Sequence, residues 1–406
     1  MDPCCALFIL MVTLNSPVIP SHSQLQQVRQ RIDAHIQAIA SNPDRREGAF
    51  PYYLFHDAET PIRGTVLIFH GFSARPHQMA RLADYLYRNG FNIYQATLAG
   101  HAYCIPEKYW PQVDLKPEIL DPLRAKVSSD PELQQALETL AANPTHAPSP
   151  VQMGRIVVRL RQVEPRLLDI VAAIERDQDP DYDRYFTGSS MAYLNDAEAR
   201  LAELEAMPGP IFTVGLSVGG AVALAVAAKY AQRISKVVAY APLLEVHGRD
   251  RERYVNLAGP LDIRELGWDD LAFPLGCLTA ANRFGAFVRR KDNVAALRPT
   301  PTLMVLTENE DAADLNTSLA FNNSLKDGFL FRRYRHHFCY TFPVSAQVPH
   351  PMVDPQEISQ KMRNTYWQPL YQETYRFLTQ GDFNSASLAD PAATADLPLV
   401  PTIRGE

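Results

Sequence analysis

The chain of 406 residues is 46% apolar and 21% charged, with a formal net charge of −6. This composition indicates a globular protein with a large core, arranged as one enlarged domain or two. The acidic balance and the lack of a basic run argue against a nucleic-acid partner. Proline is abundant, with 32 residues against 19 glycines, which favours stiff loops and short helices over a flexible repeat protein.

Cysteine and histidine spacing gives no support for a metal site. The five cysteines form no CxxC pair, and the eleven histidines include no HExxH motif. The odd number of cysteines also argues against a disulfide framework. His336 and His337 are adjacent, and neighbours on a strand point to opposite faces, which suits shared ligation poorly. We expect no metal or organic cofactor.

The N-terminus begins with an apolar run over residues 4–14, too short to span a bilayer. It resembles the apolar part of a secretion signal, but Asp2 is the only charged residue before it, and a signal needs a positive charge there. Met11 is an alternative start. We expect a cytoplasmic or membrane-peripheral protein rather than a secreted one, with segment 1–22 outside the fold.

The first hundred residues alternate predicted helices and strands. In order they are a helix from Ser23 to Ala40, an edge strand from Phe50 to His56, a buried strand from Thr65 to His70, a helix from His77 to Arg88, and a second buried strand from Phe91 to Thr97. Apolar, β-branched strands between amphipathic helices predict an α/β fold with a mostly parallel sheet.

Two insertions exceed what this alternation needs. The longer one runs from about Ala102 to Pro210 and contains helical patterns over 131–142 and 155–176, the latter interrupted by Pro165. The second runs from Pro242 to Arg298. We expect the apolar stripes of the longer insertion to form a helical cap over a largely apolar pocket.

The most informative stretch lies between the insertions, from Ile211 to Tyr230. A short apolar run meets Gly-Leu-Ser-Val-Gly and an alanine-rich helical run follows, so G-x-S-x-G stands in a strand–turn–helix setting. Side chains at the edges of so tight a turn would collide, and Gly215 and Gly219 remove them. We expect Ser217 on a strained corner with its hydroxyl exposed, at the positive end of a helix.

Further strands and a closing helix complete the domain over residues 23–383. The remaining elements are strands Lys236–Ala241 and Thr302–Thr307, a strand between Phe329 and Phe342, and a helix Met362–Leu378 preceded by a capping-box-like pattern at Asp354, Pro355 and Glu357. The last segment, 384–406, is rich in Ala, Pro, Asp and Ser and is expected to be disordered.

A serine hydroxyl is a weak nucleophile until a base takes its proton and an acid orients that base. Open parallel sheets place their sites at the carboxyl ends of strands, so we expect an acid and then a histidine after Ser217, each following a strand. The transition state also needs two N–H donors. Elbow geometry makes the backbone N–H of Val218 one of them.

Four motifs together resemble those of the α/β-hydrolases of the monoacylglycerol-lipase and carboxylesterase type. They are His70-Gly71-Phe72, similar to an H-G-x oxyanion loop; Leu82-Ala83 with Asn89-Gly90-Phe91, similar to an LA…G-(F/Y) link; Gly100-His101-Ala102, similar to G-H-G with alanine replacing the last glycine; and Gly215 to Gly220, similar to GLSMGG. The resemblance implies an α/β-hydrolase fold. The long insertion has no counterpart in compact members of that group.

The resemblance also implies site residues. It places the acid four residues after Thr307, at Asp311, although Glu308, Glu310 and Asp314 compete in the same loop. It makes the backbone N–H of Phe72 the second oxyanion donor.

Histidine candidates are separated by chain order. His350 lies in a loop between the last strand and the closing helix, which suits the base. His336 and His337 are expected in or beside the last strand. His70 and His101 precede Ser217, so we expect His70, next to Gly71, to shape the oxyanion loop and His101 to be a structural residue facing the pocket.

The sequence thus predicts a cofactor-independent serine hydrolase of carboxylic esters, with lipid or other hydrophobic acyl substrates and peripheral membrane contact as a possibility. A thioesterase or serine peptidase would use the same residues. Haloalkane dehalogenase chemistry is disfavoured because the elbow carries Ser rather than Asp. A non-catalytic binding protein on the same fold is the alternative from another class. The oligomeric state is left open.

Overall fold

The central sheet has seven strands, and its order follows from the chain. The computed structural model describes residues 16–142, 149–175, 182–261, 264–266, 271–327, 334–389 and 397–400. Within them the strands are β1 (Tyr52–Leu54), β2 (Gly64–Phe69), β3 (Phe91–Ala96), β4 (Val113–Leu115), β5 (Phe186–Gly188), β6 (Ile211–Leu216), β7 (Ile234–Tyr240), β8 (Arg264–Leu266), β9 (Ala272–Pro274), β10 (Thr302–Thr307) and β11 (His337–Phe342).

The sheet order is β1-β3-β2-β6-β7-β10-β11, and β4–β5 and β8–β9 form two separate two-stranded sheets. Only β1, at one edge, runs antiparallel to its neighbour among these seven strands. Every residue of β2, β3, β6 and β10 is buried. The predicted mostly parallel sheet of an α/β fold is confirmed, and its apolar, β-branched strands are those expected of a sheet covered on both faces.

Helices cover both faces of this sheet. Those packed around it are His22–Ala40, Ala80–Arg88, Ala192–Glu203, Val218–Lys229, Leu275–Val288, Lys291–Leu297, Leu315–Lys326 and Trp367–Gln380; the other helices are Pro106–Tyr109, Pro117–Ser129, Pro131–Ala142, Pro150–Arg161, Leu167–Glu175, Tyr182–Tyr185 and Arg249–Ala258, with 3-10 turns at Pro76–Met79, Gly259–Leu261, Val344–Ala346 and Ser385–Leu388. Alternate β2 residues enter opposite cores: Leu67 and Phe69 on one face, Val66 and Ile68 on the other.

The longer insertion divides into two parts. Its first part builds a small core around the antiparallel pair β4–β5, including Ile119, Ile170 and Phe186. Its helices break around Pro165, between Arg161 and Leu167, because proline lacks the N–H that a helix interior needs. Its last helix, Ala192–Glu203, instead packs into the main core. The insertion therefore ends before this helix and not at Pro210 as predicted. The side chains of Leu137 and Leu140, which belong to the expected apolar stripes, lie outside the described residues.

Residues 16–22 and the described part of the tail belong to the fold. Val18 exchanges two backbone hydrogen bonds of 2.8 Å with Ile62, so the expected boundary at residue 22 is too late; residues 1–15 lie outside the described residues. Leu388 and Leu397 are buried in the core beneath the closing helix. The described tail segments 384–389 and 397–400 are therefore ordered, in contrast to the disorder expected for 384–406. Their leucines cover an apolar face of the sheet layer.

The closing helix begins later than predicted. It spans Trp367–Gln380, and Asp354 does not cap it. Asp354 instead accepts from the Gln356 N–H at 2.9 Å, and Asn364 donates to the Met352 carbonyl at 2.7 Å, which pins the intervening loop beside the site. Among the described residues, no helix is long and apolar enough to cross a membrane.

Candidate active site

The turn between β6 and the following helix holds Ser217 in a strained conformation, with φ 56° and ψ −122°. A Cβ on residue 215 would lie 2.1 Å from the Gly219 carbonyl oxygen, and one on residue 219 would lie 2.3 Å from the His70 carbonyl oxygen. Both glycines are therefore sterically required, as the sequence predicts. Strain of this kind persists only where the surroundings hold it.

Two backbone contacts hold the corner. The Ser217 N–H donates to the Tyr240 carbonyl, and the Leu243 N–H donates to the Ser217 carbonyl, both at 2.9 Å. Val218 is the first residue of the helix, so its N–H has no acceptor within the helix. That N–H lies at the positive end of the helix, where an anion is stabilised.

A cavity of about 220 Å³ opens beside Ser217. Its described lining comprises Gly71, Phe72, Ser73, Gln78, Leu216, Ser217, Leu243, Val246, Arg251, Phe273, Leu278, Asp311, Ala312, His350 and Pro351. The apolar wall comes from the second insertion, 242–298, rather than from the longer one that the sequence predicts as the cap. The longer insertion contributes from behind, where Trp110 packs against Phe72 and Phe273.

His350 is held by a buried glutamate. Its Nδ1 lies 2.7 Å from Oε2 of Glu310, and the side chains are 9% and 4% exposed. A parallel bridge between Asn309 and Pro349 brings the two loops together. This bridge fixes the register in which the residues after Asn309 and Pro349 meet, so Glu310 and His350 lie opposite each other.

The predicted contact between Asp311 and His350 is wrong, because the partner of His350 is Glu310. Asp311 is exposed, lines the rim of the cavity, and accepts from Ser359 Oγ at 2.8 Å. Adjacent residues in this loop direct their side chains differently, and Glu310 also accepts from the Ala313 N–H at 3.1 Å, which fixes its carboxylate on the inner side.

The two other candidate acids serve the local backbone. Asp314 accepts from the Thr317 N–H at 2.8 Å and caps the helix Leu315–Lys326. Glu308 accepts from the Val344 N–H at 2.9 Å. Neither bond involves His350.

The pKa of His350 is raised above its ordinary value of 6.5. Burial is the largest single influence and lowers this pKa. It is outweighed by the charge of Glu310, the hydrogen bond to Glu310 and the charges of Asp311 and Glu357, which all raise the pKa. A carboxylate partner on Nδ1 keeps the proton on that nitrogen and leaves Nε2 as the acceptor of the neutral ring.

His70 joins two loops at the sheet edge. Its Nε2 accepts from the Leu98 N–H at 3.1 Å, so the neutral ring carries its proton on Nδ1, which lies 2.8 Å from the Gly71 carbonyl oxygen. Burial lowers the pKa of His70 to about 3, which keeps this tautomer neutral. His70 thus shapes the loop that carries Phe72, the role that the sequence suggests.

His101 lies behind the pocket wall rather than in the described lining. It stacks on Trp110 with ring centroids 3.8 Å apart and meets the edge of Phe72. Its Nδ1 lies 2.9 Å from the Ala99 carbonyl oxygen, and burial holds its pKa well below 6.5. His336 and His337 both contact the Arg298 carbonyl, with ring nitrogens at 2.8 and 3.0 Å, and belong to the β11 end of the sheet.

Comparison with known families agrees with this architecture. A family model described as the alpha/beta hydrolase fold matches residues 64–339. The chain belongs to the α/β-hydrolase family. Among curated protein sequences, no significant match is found.

Solved structures give distant likenesses. A structure reported for the metagenome-derived lipolytic enzymes LipS and LipT is 14% identical, covering 82% of this chain and 98% of its own, with a TM-score of 0.47. A soluble variant of monoglyceride lipase from Saccharomyces cerevisiae is 14% identical (85% and 98% covered, TM-score 0.46). A monoacylglycerol lipase from Paleococcus ferrophilus is 12% identical (82% and 99%, 0.44). Similarities this weak leave substrate and chemistry to be argued from the site.

The sequence leaves Glu310 as one of four candidate acids of this site and does not indicate Gln78 or Glu357 as site residues. Glu310 is one of several acids in its loop, and no local pattern distinguishes it. Gln78 belongs to no motif, and Glu357 is assigned by the sequence only to a helix cap, yet the Gly71 N–H donates to Gln78 Oε1 at 2.8 Å, and Gln78 Nε2 donates to Glu357. In the part of the chain that the structure describes, no group of three His, Cys, Asp or Glu side chains could hold a metal ion.

Proposed function

We propose that this protein is a serine hydrolase of carboxylic esters, with Ser217 as nucleophile, His350 as base and Glu310 as the acid that orients it. The observation that carries the proposal is the shared cavity: Ser217 on its strained elbow and His350 on its buried carboxylate line the same space. A nucleophile beside an oriented base is the arrangement that acyl transfer needs.

In the proposed reaction, His350 takes the Ser217 proton as Oγ attacks the ester carbonyl carbon. The tetrahedral intermediate collapses as the C–O bond to the alcohol breaks and His350 protonates the leaving oxygen. Water then attacks the acyl-enzyme, with His350 taking its proton and returning a proton to Ser217 as the acid leaves. Glu310 stabilises the imidazolium that forms in each half and needs no proton itself.

The oxyanion of each intermediate would accept from the backbone N–H groups of Val218 and Phe72. The first is at a helix N-terminus without an intrahelical acceptor. The second follows Gly71, whose carbonyl is held by His70. Donors that are fixed before the reaction lower the barrier without reorganising during it.

The lining suggests a hydrophobic and compact acyl group. Phe72, Leu243, Val246, Phe273 and Leu278 form an apolar wall. The cavity of about 220 Å³ is smaller than the roughly 300–1,000 Å³ of sites for drug-sized ligands. We therefore propose esters with a short apolar acyl chain or a single ring as the substrates that these walls hold best, in contrast to long-chain lipids.

The experiment is active-site labelling followed by a substrate panel. A fluorophosphonate probe should modify the wild-type protein on Ser217 and leave Ser217→Ala unmodified, whereas Ser73→Ala, a change in another serine of the cavity wall, should still be labelled. The panel then compares p-nitrophenyl acetate, butyrate and palmitate with a matched thioester and amide. Labelling elsewhere would refute the nucleophile, and faster turnover of palmitate than butyrate would refute the compact acyl site.

A further inference from the structure

Gln78 is bound between the oxyanion loop and a buried carboxylate. It lies in the turn Pro76–Met79, is 5% exposed, and accepts from the Gly71 N–H through Oε1 at 2.8 Å. Its Nε2 donates to both carboxylate oxygens of Glu357, each at 3.1 Å. Residues 279 positions apart in sequence thus meet directly behind the loop that carries Phe72.

Gly71 is consequently held on both sides of its Cα. Gln78 holds its N–H, while His70 Nδ1 at 2.8 Å and the Ala74 N–H at 3.3 Å hold its carbonyl oxygen. In a planar trans peptide, the N–H of the next residue points opposite to that carbonyl. The contacts on Gly71 therefore fix the direction of the Phe72 N–H.

We propose that Glu357 is a positioning residue for the oxyanion loop: it sets the orientation of the Gln78 amide, and Gln78 then holds the His70–Gly71 peptide, which directly precedes the peptide that carries the Phe72 N–H. A glutamine amide can present either its oxygen or its NH₂ group to a given neighbour. An ionised carboxylate only accepts, so Glu357 takes the NH₂ group and leaves Oε1 for Gly71. The inference rests on the proposed hydrolase function only for its catalytic consequence.

The environment of Glu357 favours its neutral form at neutral pH. Burial raises its pKa to about 8; Asp354 also raises it, while the bond from Gln78 and the charge of His350 lower it. Other charged groups nearby are Arg81, 3.5 Å from Asp354, and Arg75 and His77, which line the adjoining groove. Below this pKa the carboxyl gains an O–H that can donate to Gln78 Oε1, and the orientation of the amide is no longer imposed.

Nuclear magnetic resonance tests the positioning directly. The chain has two His–Gly pairs, His70-Gly71 and His247-Gly248, so ¹³C-histidine with ¹⁵N-glycine labelling isolates two amides, with Gly248 as internal reference. We expect the Gly71 amide to titrate near pH 8 in the wild-type protein and to lose that titration in Glu357→Gln. In Asp354→Asn the titration should persist at lower pH, because a negative neighbour has been removed. A Gly71 amide that does not titrate in the wild-type protein overturns the proposal without any variant.

Kinetics supply the second readout. Above pH 8, where Glu357 is ionised in the wild-type protein, Glu357→Gln should lower kcat for p-nitrophenyl butyrate about tenfold, less than the hundredfold or more lost when an oxyanion donor is removed, with KM changed less than twofold. Asp354→Asn should keep kcat within about twofold of the wild-type value, a far smaller change than the loss of kcat caused by removing an oxyanion donor. Equal kcat in Glu357→Gln and wild type overturns the catalytic part. If no ester is hydrolysed and Ser217 is not labelled, the hydrolase function fails, while the Gly71 titration still decides the positioning.

Discussion

The serine elbow and the acid loop lie at the same edge of the sheet but are determined in different ways. At the elbow, a Cβ on residue 215 or 219 would lie within 2.3 Å of a backbone oxygen, so the backbone path permits only glycine. The acid loop carries three carboxylates within four residues, Glu308, Glu310 and Asp311. No comparable steric requirement within the loop distinguishes one of them as the partner of His350. Only the bridge between Asn309 and Pro349 selects the one that meets His350.

The difference separates local from long-range determination. At Gly215 the steric clash would be with a residue four positions away, and at Gly219 it would be with the His70 carbonyl oxygen beside the turn. Both requirements come from the path of one short turn, so a short motif records them. Which carboxylate contacts His350 depends on the pairing of two loops 40 residues apart, and a motif within one loop does not record that pairing. The following changes test this contrast.

Ser217→Ala should have the largest effect. Removing the nucleophile is expected to lower kcat/KM for p-nitrophenyl butyrate on the order of a thousandfold or more while leaving the fold intact. Steady-state kinetics with circular dichroism measure both quantities. Ser73→Ala is the matched control and should keep most of the activity. Near-normal turnover by Ser217→Ala would show that Ser217 is not the nucleophile.

Glu310→Gln and Asp311→Asn compare the two adjacent acids. Losing the carboxylate that fixes the His350 tautomer should lower kcat by on the order of a hundredfold to ten-thousandfold. Asp311→Asn removes an exposed charge and should cost less than about threefold, because exposed charge interactions are weak. Both variants replace a carboxylate by the corresponding amide, so kcat values measured under identical conditions compare the two acids directly. The reverse ranking would restore Asp311 as the acid.

Gly219→Ala tests the steric requirement at the elbow. The new Cβ would lie 2.3 Å from a backbone oxygen, so the free energy of unfolding should fall by about 4 kcal/mol or more, which is exceptional for a single substitution. Gly154→Ala is the control: it lies in the helix Pro150–Arg161, and its Cβ would meet nothing within 4 Å. There alanine should stabilise by about 0.5–1 kcal/mol. Urea unfolding of both variants gives the comparison.

The smallest expected effect is a shift in the pH profile. His350 must be neutral to act as base, and its pKa is raised above 6.5, so kcat/KM should fall as pH decreases through that raised value. Asp311 contributes to the raised pKa, so Asp311→Asn should move the acidic limb slightly to lower pH. Glu310→Gln should move the limb of its residual activity further, since Glu310 contributes more. Unmoved limbs in both variants would contradict the assignment of these charges.

Much of the fold follows from local patterns. The buried strands β2, β3, β6 and β10 are apolar runs, and the helix break near Pro165 follows from the missing N–H of proline. The sequence predicts too early a start for the closing helix, because Asp354, Pro355 and Glu357 form a capping pattern but their side chains make other tertiary contacts. Asp354 pairs with Arg81, and Glu357 binds Gln78.

By itself the sequence determined the α/β class, the elbow with Ser217, and the chain order of Ser217, the acidic loop and His350, because each depends on periodicity, glycine sterics or chain order. Only the tertiary structure decided that Glu310 meets His350, that Gln78 and Glu357 support the oxyanion loop, and that the second insertion lines the cavity. Glu310 and His350 are 40 positions apart in the sequence, and Gln78 and Glu357 are 279 apart. The second insertion reaches the cavity with residues that lie more than 25 positions after Ser217. Contacts of this kind depend on how loops from separate strands meet at the sheet edge, and no pattern within one segment encodes that meeting.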